Sequence, residues 1–254
     1  MKKTEANLPI FMQDQKTREI LRDASSCIPD KARAYIVGGA IRNSVYYRLF
    51  KEKMPQRDYD LLFIGDRNLF IRNLLNHGFV YGHMRRKSEV VLKKKKIPKP
   101  RIDILTDYVF LDIHISTEKN VIKNLKHESN FTINGFAILL KDADSEEWYE
   151  QIIALPRALQ DLKNKKLRVN AIKHPAGLFA CLRFMSIGFK PPSKKEVKDL
   201  LLALGKLGKY KYELNIKKTL TYVGGENRAK QLAKKIGINK DIFDFKVIKS
   251  LGKE

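Results

Sequence analysis

Apolar and polar positions along the chain fall into two regimes. In the first, short apolar runs bounded by turn residues alternate with longer stretches of helical period. Ala34-Tyr35-Ile36-Val37 is stopped by Gly38-Gly39, and Tyr59-Asp60-Leu61-Leu62-Phe63-Ile64 is closed by Gly65-Asp66. Runs of that length between turn signals read as strands. Val90–Leu92, Ile102–Leu105 and Val109–Ile115 read as further strands. Helices are expected at about 15–27, with Ile20 and Leu21 on the apolar face, and at about 40–50 and 69–76. Beyond Asp161 the strand signals fade. Helical period then covers 178–187, 194–204, 216–222 and 228–236, with Pro191-Pro192-Ser193 as a stop followed by an N-cap. The pattern predicts an α/β (α+β) head with a mixed β-sheet, then an all-helical neck or body. The expected divisions are an N-terminal helical extension over 1–30, the head over 31–160 and the helical part over 161–254.

Charge adds a partner to this picture. The 254 residues hold 51 Lys and Arg against 28 Asp and Glu, a formal +23, while 43% hydrophobic residues suffice for a real core. Such an excess favours polyanions, and nucleic acid is the commonest of them. The densest cluster runs from Arg85 to Arg101, nine Lys or Arg against one Glu. It is either a solvated hairpin or an RNA-facing edge; Arg85, Arg86, Lys87, Lys93, Lys94, Lys95 and Lys96 are the candidate contacts. Tyr210 and Tyr212, set among Lys206, Lys209 and Lys211, suit stacking on RNA bases, or else a solvated face.

Cysteine and hydropathy exclude several classes. Cys27 and Cys181 stand far apart without a CxxC pattern, which argues against a disulfide scaffold or a zinc site and for a reducing compartment. No apolar run approaches the length of a membrane span. Asp14, Glu19 and Asp23 near the start leave no secretory apolar region. The expectation is a soluble cytoplasmic protein without membrane partners, an organelle matrix being the alternative.

Three features carry candidate chemistry. Gly38-Gly39 ends a strand and opens a helix, Asp58 and Asp60 stand at the start of the next strand, and Asp103 lies on a later one between Ile102 and Ile104. Paired glycines let backbone approach a phosphate, and the helix start presents free N–H groups. Residues i and i+2 of a strand share a face, so Asp58 and Asp60 converge. With a third carboxylate they form a hard-oxygen site suited to Mg²⁺, which can activate a hydroxyl and stabilise leaving pyrophosphate. Taken singly, each feature also has a plain reading: a turn, a solvated acid pair, and a strand-edge Asp103 paired with Arg101. His114 and His174 have no partners at metal-ligand spacing and are assigned no metal.

The segment Tyr35-Ile36-Val37-Gly38-Gly39-Ala40-Ile41-Arg42, followed by Arg57-Asp58-Tyr59-Asp60, resembles the signature of class II tRNA nucleotidyltransferases (CCA-adding enzymes) and bacterial poly(A) polymerases. Asn130-Phe131-Thr132-Ile133-Asn134-Gly135-Phe136-Ala137 is similar to that family's Arg-Arg-Asp-Phe-Thr-Ile-Asn-Ala-Met-Ala block. Asp161-Leu162-Lys163-Asn164 and the stretch from His174-Pro175 through Arg183-Phe184 to Gly188-Phe189 resemble two further blocks, so the likeness covers about residues 30–190. Departures are Asn43 for an Asp, Glu128-Ser129-Asn130 for Arg-Arg-Asp, and His174, Gly177 and Ala180 in the joining helix, where Arg183 is kept.

The resemblance implies an RNA nucleotidyltransferase acting on tRNA or another structured RNA. Asp58 and Asp60 would hold Mg²⁺, with Asp103 completing the catalytic set. Gly38, Gly39, Arg42, Asn130, Asn134 and Arg183 would bind the nucleoside triphosphate, ATP or CTP. The departures leave open a catalytically inactive RNA-binding or ribonucleoprotein-assembly module, a partner protein that supplies RNA recognition, and a transferase acting on protein or a small molecule.

Overall fold

The structure is a computed structural model describing residues 7–54, 58–86, 89–95, 108–172 and 175–251; residues 83–86, 89, 90, 95 and 251 are placed by backbone alone. It divides into two compact units, one of Met1–Leu125 with Asn134–Leu155, the other of Lys126–Ile133 with Pro156–Glu254. In chain order the elements are α1 (Gln15–Ser26), β1 (Arg33–Val37), α2 (Gly39–Phe50), β2 (Tyr59–Ile64), α3 (Arg67–Asn76), β3 (Val80–Arg86), β4 (Glu89–Lys95), β5 (Tyr108–Ile115), α4 (Val121–Glu128), β6 (Phe136–Leu139) and β7 (Ile153–Ala154). There follow α5 (Ala158–Lys163), α6 (Gly177–Ser186), α7 (Lys194–Leu204), α8 (Lys209–Val223), α9 (Glu226–Lys235) and α10 (Phe245–Leu251).

The first unit is built on one sheet in the order β3-β4-β5-β2-β1-β6-β7. Its described pairs are antiparallel except β2 with β5, so the sheet is mixed as the sequence predicts. Local chemistry sets the elements. Asp14 caps α1 by accepting from the Thr17 N–H at 2.7 Å, and Thr17, Ile20, Leu21 and Ala24 form the buried stripe. Asp66 does the same for α3 by accepting from the N–H groups of Asn68 and Leu69, after which Phe70, Ile71 and Leu74 turn inward. Phe63 of β2 stacks on Phe70 with centroids 4.3 Å apart, which ties that helix to the sheet.

Gly135 marks a place where backbone and core nearly touch. A Cβ there would stand 2.6 Å from Leu155 Cγ and 2.9 Å from its Cβ, and Leu155 is itself buried. The Leu155 side chain occupies the space that a methyl on residue 135 would need. Gly135→Ala is therefore expected to destabilise the fold by about 1–3 kcal/mol through overpacking. Thermal unfolding would show it, and an unchanged midpoint would mean that Leu155 moves freely.

The second unit is helical. Ser193 caps α7 in a capping box, its hydroxyl accepting from the Glu196 N–H while the Glu196 carboxylate accepts from the Ser193 N–H at 2.8 Å. The Val169 N–H also donates to Glu196 at 2.8 Å. Burial alone would raise the Glu196 carboxyl, but these donors and the charge of Arg168 outweigh it and hold it below the ordinary 4.5. A lowered native value gives stabilisation that is complete above the ordinary pKa and is lost as pH falls through the native one. Glu196→Gln should thus flatten the acid limb of a stability–pH curve; an unaltered limb would contradict that linkage. Cys27 and Cys181 are free and buried, and burial pushes the Cys181 thiol up to about 12. Among the described residues no helix is long and apolar enough to cross a membrane.

Candidate active site

Backbone register decides which acids meet. The parallel pair β2–β5 sets Asp60 opposite Asp112 and Leu62 opposite His114. Opposed residues share a face, and the period of two adds His114 to the side of Asp112. Ligand atoms of Asp60, Asp112 and His114 all lie within 4.8 Å of one another. Asp112 is only 4% exposed, and His114 Nε2 stands 3.8 Å from its Oδ1. Asp58, exposed and one residue ahead of β2, is not a member of that trio.

Asp103 lies outside the described residues, and so does His174. Sequence reasoning missed Asp112 and gave His114 no ligand partner; parallel pairing corrects the second point, because it joins residues that spacing along the chain keeps apart. One signal was present. Asp112 is the lone acid in the otherwise apolar run Val109-Phe110-Leu111-Asp112-Ile113.

The glycine turn faces these acids. Gly38 has φ 67°, its N–H donates to Phe136 O at 3.0 Å, and a Cβ on it would stand 3.6 Å from Asp60 Oδ2. The positive φ favours glycine here, while a Cβ at that distance would make only ordinary contact. Gly39 begins α2, whose first N–H groups have no partner within the helix. Arg42 is aimed by neutral amides: its Nε and Nη2 donate to Asn43 Oδ1 at 3.1 and 2.8 Å, and its Nη1 donates to Asn134 Oδ1. Asn43 is buried and offers a neutral acceptor. Gly38, Gly39, Arg42 and Asn134 thus form a run of contacts that reaches Asp60.

Asn130 and Arg183 belong to the second unit. Asn130 Oδ1 is buried and has no hydrogen-bond partner among the described residues. Arg183 Nη1 donates to Thr219 Oγ1 at 2.9 Å, tying α6 to α8.

Of the basic candidates, Lys87 and Lys96 lie outside the described residues, and Arg85, Arg86 and Lys95 are placed by backbone alone. Lys93 Nζ sits 4.7 Å from the centre of the Tyr108 ring. Lys94 is tied inward, donating to Asp23 Oδ2 and His77 O at 2.7 Å each. On α8, Lys209 and Lys211 are exposed and Tyr210 is 78% exposed. Tyr212 corrects the sequence reading. It is buried, its hydroxyl donates to Ile242 O at 2.8 Å, and its ring packs on Phe179 and Phe245, so it is core and unavailable for stacking.

The fold is a mixed sheet with a glycine turn, a helix N-terminus and strand-borne carboxylates on one face, followed by a helical unit. Solved structures of CCA-adding enzymes share it. A tRNA-processing enzyme in an apo form matches with TM-score 0.62 and 23% identity, over 92% of this chain and 59% of its own. The Thermotoga maritima CCA-adding enzyme complexed with tRNA matches with TM-score 0.64 and 14% identity, over 92% and 54%. A CCA-adding enzyme in complex with CTP gives 0.62 and 17%, over 89% and 51%. The chain therefore spans between half and three-fifths of the length of these structures. No protein-family model matches the sequence, and no curated protein does either.

Proposed function

We propose that the protein is an RNA nucleotidyltransferase: an RNA 3′-hydroxyl attacks the α-phosphate of a nucleoside triphosphate in line, and pyrophosphate leaves. The observation that carries this reading is the register of Asp60 with Asp112 beside the Gly38 turn. Two carboxylates on one face of the sheet, with Asp58 two residues before the first, are a donor set suited to Mg²⁺. When bound, two such ions supply positive charge at the phosphate and acidify the attacking hydroxyl. Asp58, Asp60 and Asp112 are the residues that would hold them, and Asp103 remains a candidate for the same set.

The remaining groups bind and orient. N–H groups of the Gly38-Gly39 turn and the start of α2 are suited to triphosphate oxygens. Arg42, held by Asn43 and Asn134, is the proposed cation for the same charge. ATP and CTP are the proposed substrates, because structures of CCA-adding enzymes with each share the fold. The formal +23 supports RNA as the acceptor, and tRNA is the first choice since one of those enzymes is complexed with it. Lys93, Lys209 and Lys211 are proposed contacts to its phosphates, with Tyr210 as a stacking surface.

The test incubates purified protein with total RNA, Mg²⁺ and each labelled nucleoside triphosphate in turn. Incorporation from CTP or ATP is expected. Failure with all four, while salt-sensitive RNA binding persists, would identify an RNA-binding module without catalysis.

A further inference from the structure

The strand face that bears Asp60 also presents a nitrogen donor that an all-carboxylate Mg²⁺ centre does not call for. His114 lies two residues beyond Asp112 on β5, and its ring is 34% exposed beside a buried carboxylate. The 3.8 Å between Nε2 and Asp112 Oδ1 is longer than the roughly 3.2 Å limit of a direct N–H···O bond. It does fit two groups that share an ion: with bonds of about 2.1 Å, neighbouring ligands of an octahedral ion stand roughly 3 Å apart and opposite ones roughly 4 Å. A trio whose ligand atoms lie within 4.8 Å closes on one ion with small side-chain rotations. The Gly38 turn leaves room next to it, since even an added Cβ would stand 3.6 Å from Asp60 Oδ2.

Donor chemistry then bears on the choice between Mg²⁺ and Mn²⁺. Mg²⁺ takes oxygen ligands and releases its waters reluctantly, whereas Mn²⁺ shares its preference for carboxylates and, as a first-row transition ion, gains more than Mg²⁺ from an added imidazole. We propose that Asp60, Asp112 and His114 form a two-carboxylate, one-imidazole centre in which His114 is a direct ligand, and that this centre binds Mn²⁺ in preference to Mg²⁺. The inference rests on Asp60 and Asp112 being the metal-holding pair. It adds a third ligand that Asp-x-Asp alone does not specify, and it makes metal choice a property of one side chain.

The test uses the full chain and reads metal binding without catalysis. Free Mn²⁺ is followed by its electron paramagnetic resonance signal, and Mg²⁺ is titrated in as competitor. Wild type is expected to bind Mn²⁺ and to yield it only to excess Mg²⁺. His114→Asn should weaken Mn²⁺ binding about tenfold or more while Mg²⁺ affinity stays within about twofold. Pulsed spectra of the Mn²⁺-loaded wild type should show nitrogen coupling, and His114→Asn should lose it. His114→Ala, checked for fold by circular dichroism, should lose the same preference. Metal binding that disappears in Asp60→Asn and Asp112→Asn but keeps its Mn²⁺-to-Mg²⁺ ratio in both His114 variants would overturn the role of His114 and leave the carboxylate pair standing. Mn²⁺ binding that survives both Asp variants would overturn the pair, and the proposal with it.

Discussion

Asp60→Asn and Asp112→Asn should each cut Mg²⁺-dependent nucleotide incorporation about a thousandfold, because the charge stabilisation at stake is several kcal/mol and about 4 kcal/mol is a thousandfold in rate. Both replacements keep the side-chain shape and remove the charge. Asp112 is buried in the sheet and the amide keeps its shape there, so the unfolding midpoint is expected to move far less than the activity. Activity and stability should therefore part company. That pattern separates a catalytic carboxylate from a structural one, whose loss would lower the unfolding midpoint. RNA binding should stay near wild type in both variants. Retention of full activity in Asp112→Asn would remove β5 from the mechanism and return attention to Asp103.

Asp161→Ala should cost the second unit about 2–4 kcal/mol of stability. Asp161 is buried and accepts from Thr132 Oγ1 at 2.7 Å and from Arg168 Nε at 3.0 Å. It thus joins α5 to the segment before β6 and to the stretch before α6. Truncation strands a buried hydroxyl and removes the partner of a cation; because Arg168 is about one-third exposed, water recovers part of that cost. Asp161→Asn, which can still accept from Thr132, should cost less. Denaturant unfolding with an unchanged slope gives the measurement, and equal losses for Ala and Asn would place the effect in the charge alone.

What was legible in the sequence was local. β2 runs over the predicted Tyr59–Ile64 and α7 over the predicted 194–204, because an apolar run with a glycine stop and a proline pair with a serine cap are signals carried by neighbouring residues. β6 was not singled out: Phe136–Leu139 is four buried or half-buried apolar residues with neither alternation nor length to declare it a strand. β3 is hidden differently, since Val80 and Tyr81 are each 50% exposed at the sheet edge and show no inward face. Tyr210 and Tyr212 looked equivalent among lysines. Two residues along a helix rotate a side chain by roughly 200°, so one points to water and the other into the core. In the candidate site the glycine turn and Asp60 could be read from spacing, while Asp58, read with them, lies outside the trio. Asp112 and His114 could not, because a parallel partner lies across a long crossover whose register no local pattern records.

The chain leaves its first compact unit after Leu125, re-enters at Asn134 and departs again after Leu155. For heredity this means that neither unit is encoded by an uninterrupted stretch of gene. A cut after Leu155 would carry off Phe131 and Thr132, which are buried in the second unit, while leaving behind the ring of Phe184 and the carboxylate of Asp161 that they meet. Recombination at any single point therefore splits a core. Exchanging one unit alone would take more than one cut.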